Sequence, residues 1–134
     1  MLDVEVFGAE LAPGAPPTRE VRRLCALAST AAGVQDGHLA IEYVDERRIA
    51  QLNAEHRGKD GPTDVLSFPI DGVLAQGGDS VERELGDVVI CPAHTSDLRE
   101  AIVHGVLHLV GFDHETDDGE MLALQTRLLA GEAR

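Results

Sequence analysis

This sequence predicts an α+β fold: one domain over residues 1–134, in which a four-stranded mixed sheet is covered by helices. Three observations carry that expectation. Segments with period-two apolar patterning interleave with segments of period 3.6, in the order β-α-β-α-β-β-α-α. No internal repeat and no linker interrupts them. At 134 residues the chain is long enough to bury about two-thirds of its unfolded surface without disulfides.

Each element has a local cause. Residues 2–7 alternate apolar and acidic side chains as a strand does. Pro13, Pro16 and Pro17 break that strand, and Thr18 is placed to cap a helix running to about Ala32, with Val21, Leu24, Cys25 and Ala28 turned inward. Gly33 ends it. Residues 38–44 read as a second strand, and Asp45 as the cap of a second helix that buries Ile49 and Leu52 and stops near Gly58. The loop 57–63 leads into an apolar strand over 65–70. Residues 72–80 form a glycine-rich surface loop with no phosphate-loop pattern, and 85–91 a fourth strand. Beyond Pro92 comes a long apolar helix. Asp117 with Glu120, a variant of the capping box, starts a last amphipathic helix to about Leu129.

The apolar helix holds the most informative spacing. It reads His104-Gly-Val-Leu-His108-Leu-Val-Gly111-Phe-Asp113-His114. Side chains four apart on a helix lie about 5 to 6 Å from each other, so two imidazoles can share one metal ion. Ile102, Val103, Val106, Leu107, Leu109 and Val110 cover most of the helix circumference, which predicts burial. The one polar stripe gathers Asp97, Glu100, Ala101, His104, His108 and Gly111. A left-handed turn at Gly111 would end the helix and bring His114 back toward the first two histidines. One histidine in an apolar helix is ordinarily a hydrogen-bonded core residue; three with a turn glycine between the second and third point to a metal site.

That spacing, a metzincin-like His-x3-His-x5-His metal site, matches the long zincin motif except at one position. Gly105 stands where those proteases carry the glutamate that serves as general base, so peptide hydrolysis by that route is not expected. Three ligands with no neighbouring cysteine describe an open site, in which water takes the fourth position and is acidified for chemistry. Cys91 stays open as a fourth ligand that would close it.

Charge narrows the partners. The net charge is −13, which argues against general nucleic-acid binding. Its distribution is uneven: residues 1–18 sum to −3, 19–59 to +1 and 60–134 to −11, so an anionic partner should meet the product of 19–59. Cys25 and Cys91, in a chain with no predicted export signal or membrane span, read as reduced, buried thiols of a cytoplasmic protein.

The histidine segment resembles the signature of the YbeY family of endoribonucleases, also called the ribosomal-RNA maturation factor family. The likeness extends to Arg57-Gly58-Lys59-Asp60, to Pro62-Thr63-Asp64-Val65-Leu66-Ser67-Phe68-Pro69 and to Leu85-Gly86-Asp87-Val88-Val89-Ile90-Cys91, in the same order. Together these blocks cover roughly residues 50–118. The resemblance implies a single-strand-specific, metal-dependent endoribonuclease acting in ribosomal-RNA processing, especially 16S rRNA 3′-end maturation, and in ribosome quality control. It implies that His104, His108 and His114 hold one Zn²⁺ per chain and that Arg57 is a functional arginine. The implied partners are single-stranded RNA, ribosomal RNA and the small ribosomal subunit, with no membrane and no DNA. One departure stands out: only twelve residues separate Cys91 from His104, fewer than the family leads one to expect.

The chemistry agrees with an anionic substrate. A His₃ zinc site can polarise a phosphoryl oxygen, and a fixed guanidinium can bridge two such oxygens as charge builds in the transition state. Arg57 is the choice for that role, although by itself it also suits a helix C-terminus. Lys59 is the choice for a supporting phosphate contact, or is a solvated loop residue. Glu100, Asp113 and Asp117 divide between supporting a ligand and serving as surface or capping residues, and Met121 reads as core. Two alternatives remain: a zinc-dependent hydrolase of another substrate, and a ribosome assembly factor with a structural zinc.

Overall fold

The computed structural model describes residues 2–70, 84–112 and 119–132. Along the chain run β1 (Leu2–Phe7), α1 (Thr18–Ala31), β2 (Gly37–Tyr43), α2 (Glu46–Arg57), β3 (Val65–Pro69), β4 (Glu84–Ile90), α3 (Leu98–Leu109) and α4 (Glu120–Glu132). The expected order of elements is observed. The expected glycine-rich loop over 72–80 lies outside the described residues, as do Asp117 and its capping role.

The strands form one mixed sheet in the order β1-β2-β4-β3. β1, β2 and β4 are parallel, and β3 closes one edge antiparallel to β4. Strand ends differ from the sequence expectation by a residue because pairing continues past regular geometry. Val44 N still donates to Ile90 O at 2.9 Å, and Cys91 N to Asp64 O at 2.8 Å. The β2–β4 register jumps between His38 and Leu39, which face Glu84 and Gly86, so Leu85 is an extra residue. This bulge sets Leu85 on the same side as Val88 and Ile90. Gly86 (φ 132) is required beside it, since a Cβ there would stand 2.2 Å from Phe68 O.

Helices cover both faces. α1 and α3 pack on one, where Leu24, Cys25, Ile102 and Val106 meet Leu39, Ile41 and Val88. α2 covers the other, with Ile49 and Leu52 against Leu66, Val89 and Cys91. Each large aliphatic side chain so enclosed contributes about 1.5–3 kcal/mol. Cys91 therefore lies across the sheet from the histidine helix, and burial, its largest influence, holds its thiol above the ordinary range. It is a packed thiol, not a metal ligand. Cys25 is likewise free and buried, pushed up to about 12.

Helix ends follow their sequence signals except at Thr18 and at the end of α4, which runs to Glu132, past the expected Leu129. Asp45 accepts from Arg48 N at 2.8 Å, as expected of a cap. Thr18, expected to cap α1, is instead its first residue. Pro17, already extended (φ −63, ψ 159), takes the cap position, and its carbonyl accepts from Glu20 N and Val21 N. Asp97 caps α3 by accepting from Glu100 N at 3.1 Å. At the far end Gly111 (φ 112) donates to His108 O and Phe112 N to Leu107 O, which is the Schellman pattern. The short segment between Cys91 and His104 thus forms a single 3₁₀ turn (Pro92–His94), a cap and the opening turns of α3. Met121 is fully buried, as its core reading required.

Candidate functional site

Beyond its first turn, α3 is buried except where His104 and His108 stand, both half-exposed. Their ring centroids are 4.8 Å apart, with planes at 77°. Gly105, between them in sequence, is what lets α3 lie so close to the sheet. A Cβ there would sit 2.3 Å from Val88 Cγ1, so the glutamate of the zincin motif has no room at this position. Ser67 Oγ adds a clasp, donating to Gly105 O at 2.8 Å.

Each ring is held by its Nδ1. His108 Nδ1 lies 3.0 Å from Phe112 O, a carbonyl that can only accept, so in the neutral ring the hydrogen is on Nδ1 and the lone pair on Nε2. His104 Nδ1 stands 2.8 Å from Gln125 Oε1 on α4, where the same tautomer donates to the amide oxygen. Donation from the remote ring nitrogen to a protein oxygen is the arrangement that orients metal-binding histidines, so this donor pair suits a borderline ion such as Zn²⁺. Among the described residues no three His, Cys, Asp or Glu side chains are grouped to hold a metal. His114, the third expected ligand, lies outside the described residues together with Asp113.

The histidines open on a cleft of about 980 Å³ that follows β3. Its walls include His56 and Arg57 from the last turn of α2, Ser67 and Phe68 from β3, and His104 and His108. The structure therefore brings Arg57 and the two histidines to one cavity from elements on opposite faces of the sheet. Lys59 is exposed on the following loop and is not part of the cleft wall. That loop is tied to α2 by Asn53 Nδ2, which donates to Gly61 O at 2.9 Å. Glu100 lines a second cavity of about 300 Å³, which shares Asp64, Val65 and His104 with the cleft but not Arg57.

β3 offers little to a peptide strand. Cys91 N donates to Asp64 O and Ile70 N to Leu85 O, so Leu66 and Phe68 bond to β4 while Val65, Ser67 and Pro69 turn their backbone outward. Pro69 has no N–H, and the N–H of Val65 is taken by Asp64 Oδ1 at 2.8 Å. Two of the three outward positions thus cannot donate to an added strand.

Gln125, Phe112 O, His56 and Phe68 were not singled out from the sequence. Gln125 alone left a signal: it falls four residues after Met121, a polar residue on the buried stripe of α4, and is only 7% exposed.

The family model for Endoribonuclease YbeY matches residues 18–131. A curated Endoribonuclease YbeY from Alkalilimnicola ehrlichii is 40% identical, covering 97% of this chain and 87% of its own. One from Bacillus pumilus is 36% identical, covering 82% of each. A Thermotoga maritima protein solved in solution shares the fold, with a TM-score of 0.51 at 24% identity over 94% of this chain and 86% of that one. With a family model spanning most of its length and relatives at this identity, the chain belongs to the YbeY endoribonuclease family.

Proposed function

We propose that this chain is a zinc-dependent endoribonuclease that cuts single-stranded RNA in ribosomal-RNA processing, at the 3′ end of the 16S RNA and in ribosome quality control, in the cytoplasm. Family membership supports the hydrolytic nuclease and its RNA substrate. The observation that carries the residue-level reading is the meeting of Arg57 with two Nδ1-anchored histidines in one cleft. No described helix is long and apolar enough to cross a membrane.

His104, His108 and His114 would hold the zinc, one per chain, which when bound supplies Lewis acidity toward phosphoryl charge. The chain's own residues do the rest. The planar guanidinium of Arg57 presents paired N–H donors that match two phosphodiester oxygens, and an electrostatic clamp of this kind acts most strongly as charge accumulates. Its place at the end of α2 lets it neutralise the helix dipole without substrate and the phosphate with it. Lys59, on the tethered loop, meets the next phosphate along the strand. A hydrolase of peptides is disfavoured by the blunted β3 edge and by Gly105.

The test is zinc content and cleavage on the same preparation. About one zinc per chain with cutting of single-stranded RNA, but not of DNA or casein, is expected. Intact RNA after prolonged incubation with the fully metallated protein would defeat the reading.

A further inference from the structure

The cleft wall beside Arg57 contains an aromatic pair in a chain that is otherwise poor in aromatics. His56 and Phe68 meet edge to face, with ring centroids 4.7 Å apart and planes at 65°. Only one Tyr, three Phe and no Trp occur in all 134 residues, so two rings together beside a guanidinium is a concentration of π-surface. Neither ring is enclosed. His56 is exposed and Phe68 half-buried, its inner side resting on the Leu66, Val89 and Cys91 cluster. Both line the same cleft as His104 and His108.

We propose that His56 and Phe68 form a nucleobase subsite, on which one unpaired base of the RNA stacks while Arg57 holds the adjoining phosphate. The proposal rests on the RNA reading above and adds to it how a paired strand is refused. Every base offers a π-face only when it is splayed out of a helix, so a stacking platform selects single strands without reading sequence. The neighbouring β3 edge agrees, because its outward carbonyls of Val65, Ser67 and Pro69 accept from base or sugar groups while few donors are left for a peptide. Arg57, one residue from His56 at the end of α2, is within a nucleotide's reach of the platform.

The experiment measures binding of a short single-stranded RNA carrying one 2-aminopurine, and of the same strand with that position abasic, to the metallated full chain. Stacking predicts fluorescence quenching on binding, and tighter binding of the base-bearing strand. Phe68→Leu, which keeps an apolar contact with the cluster beneath, should weaken the base-bearing strand about five- to a hundredfold and leave the abasic strand unchanged. His56→Ala, a surface change that spares the core, should do the same to a smaller degree. Phe68→Tyr should bind as the parent does. Equal losses for both strands, or none, while the parent binds and cuts RNA, would overturn the subsite alone. Failure of the parent to bind either strand would overturn the RNA reading with it.

Discussion

His104 and Gln125, on α3 and α4, meet through Nδ1 and Oε1 at 2.8 Å, in a position where the amide is nearly buried. The contact orients the ring, and with Nδ1 donating to the amide oxygen it leaves the lone pair on Nε2. Gln125→Leu, close in volume but without an acceptor, is expected to weaken zinc binding about 10- to 100-fold in competition with a chelator. Gln125→Glu keeps an acceptor and should retain affinity. An unchanged chelator midpoint in Gln125→Leu would show that the contact only packs the two helices.

Arg57 acts by shape as well as charge. Lysine cannot reproduce a forked donor pair, so Arg57→Lys and Arg57→Ala should both lower kcat/KM on single-stranded RNA by about a hundredfold or more. Zinc content should stay at the parent level, because the side chain comes from α2 and not from the histidine helix. Full rescue by lysine would reduce Arg57 to a general positive charge.

Much of this arrangement is legible in the sequence, because it is local. Asp45 and Gly58 bound α2, and Gly111 ends α3 with the left-handed turn that the histidine spacing demanded. What escapes sequence reading depends on contacts between distant elements. Gln125 reaches His104 across 21 residues, and Phe68 meets His56 only because β3 forms the sheet edge beneath the end of α2. The Leu85 bulge is invisible in a strand whose apolar run is nearly continuous.

Gly105 is a packing requirement at the centre of the site. Its replacement by alanine places a Cβ 2.3 Å from Val88 Cγ1, and the strain of overpacking is about 1–3 kcal/mol. Chemical denaturation should show that loss in Gly105→Ala, and a smaller additional loss in Gly105→Ala/Val88→Ala than the single changes sum to. Matching midpoints for Gly105→Ala and the parent would mean that the sheet yields at this point.

Away from the cleft, His38 links three strands. Its Nδ1 lies 2.7 Å from Glu84 Oε2 and its Nε2 2.7 Å from Glu5 Oε1, joining β2 to β4 and β1. The bond to Glu84 first, and that to Glu5 second, raise the imidazole from 6.5 to about 8; Asp87 adds a further acidic neighbour. The folded state therefore holds this proton more tightly than the unfolded chain does. Its stabilisation is complete below the unfolded value and is lost as pH rises through about 8. The Tm advantage of the parent over His38→Gln should be largest near about pH 6 and shrink by about pH 9. An advantage that does not change with pH would leave the ring a role in packing alone.

Whether the metal builds the fold or only the chemistry is decided by how much structure stands without it. α3 buries Ile102, Val103, Val106, Leu107 and Leu109 at 2% exposure or less, a set that peptides folded solely by zinc do not have. The five side chains together, at about 1.5–3 kcal/mol each, outweigh the roughly 2.7 kcal/mol that a bound ion adds at a hundred times its Kd. Chelation, and His108→Ala, should therefore leave far-UV circular dichroism and cooperative unfolding in place with a lower Tm, while cleavage of single-stranded RNA is lost. Loss of the folded spectrum on chelation would instead make zinc structural and favour an assembly factor. A folded, zinc-free chain that cannot cut separates the enzyme from the scaffold, because Gln125 and Phe112 O give the imidazoles protein partners of their own.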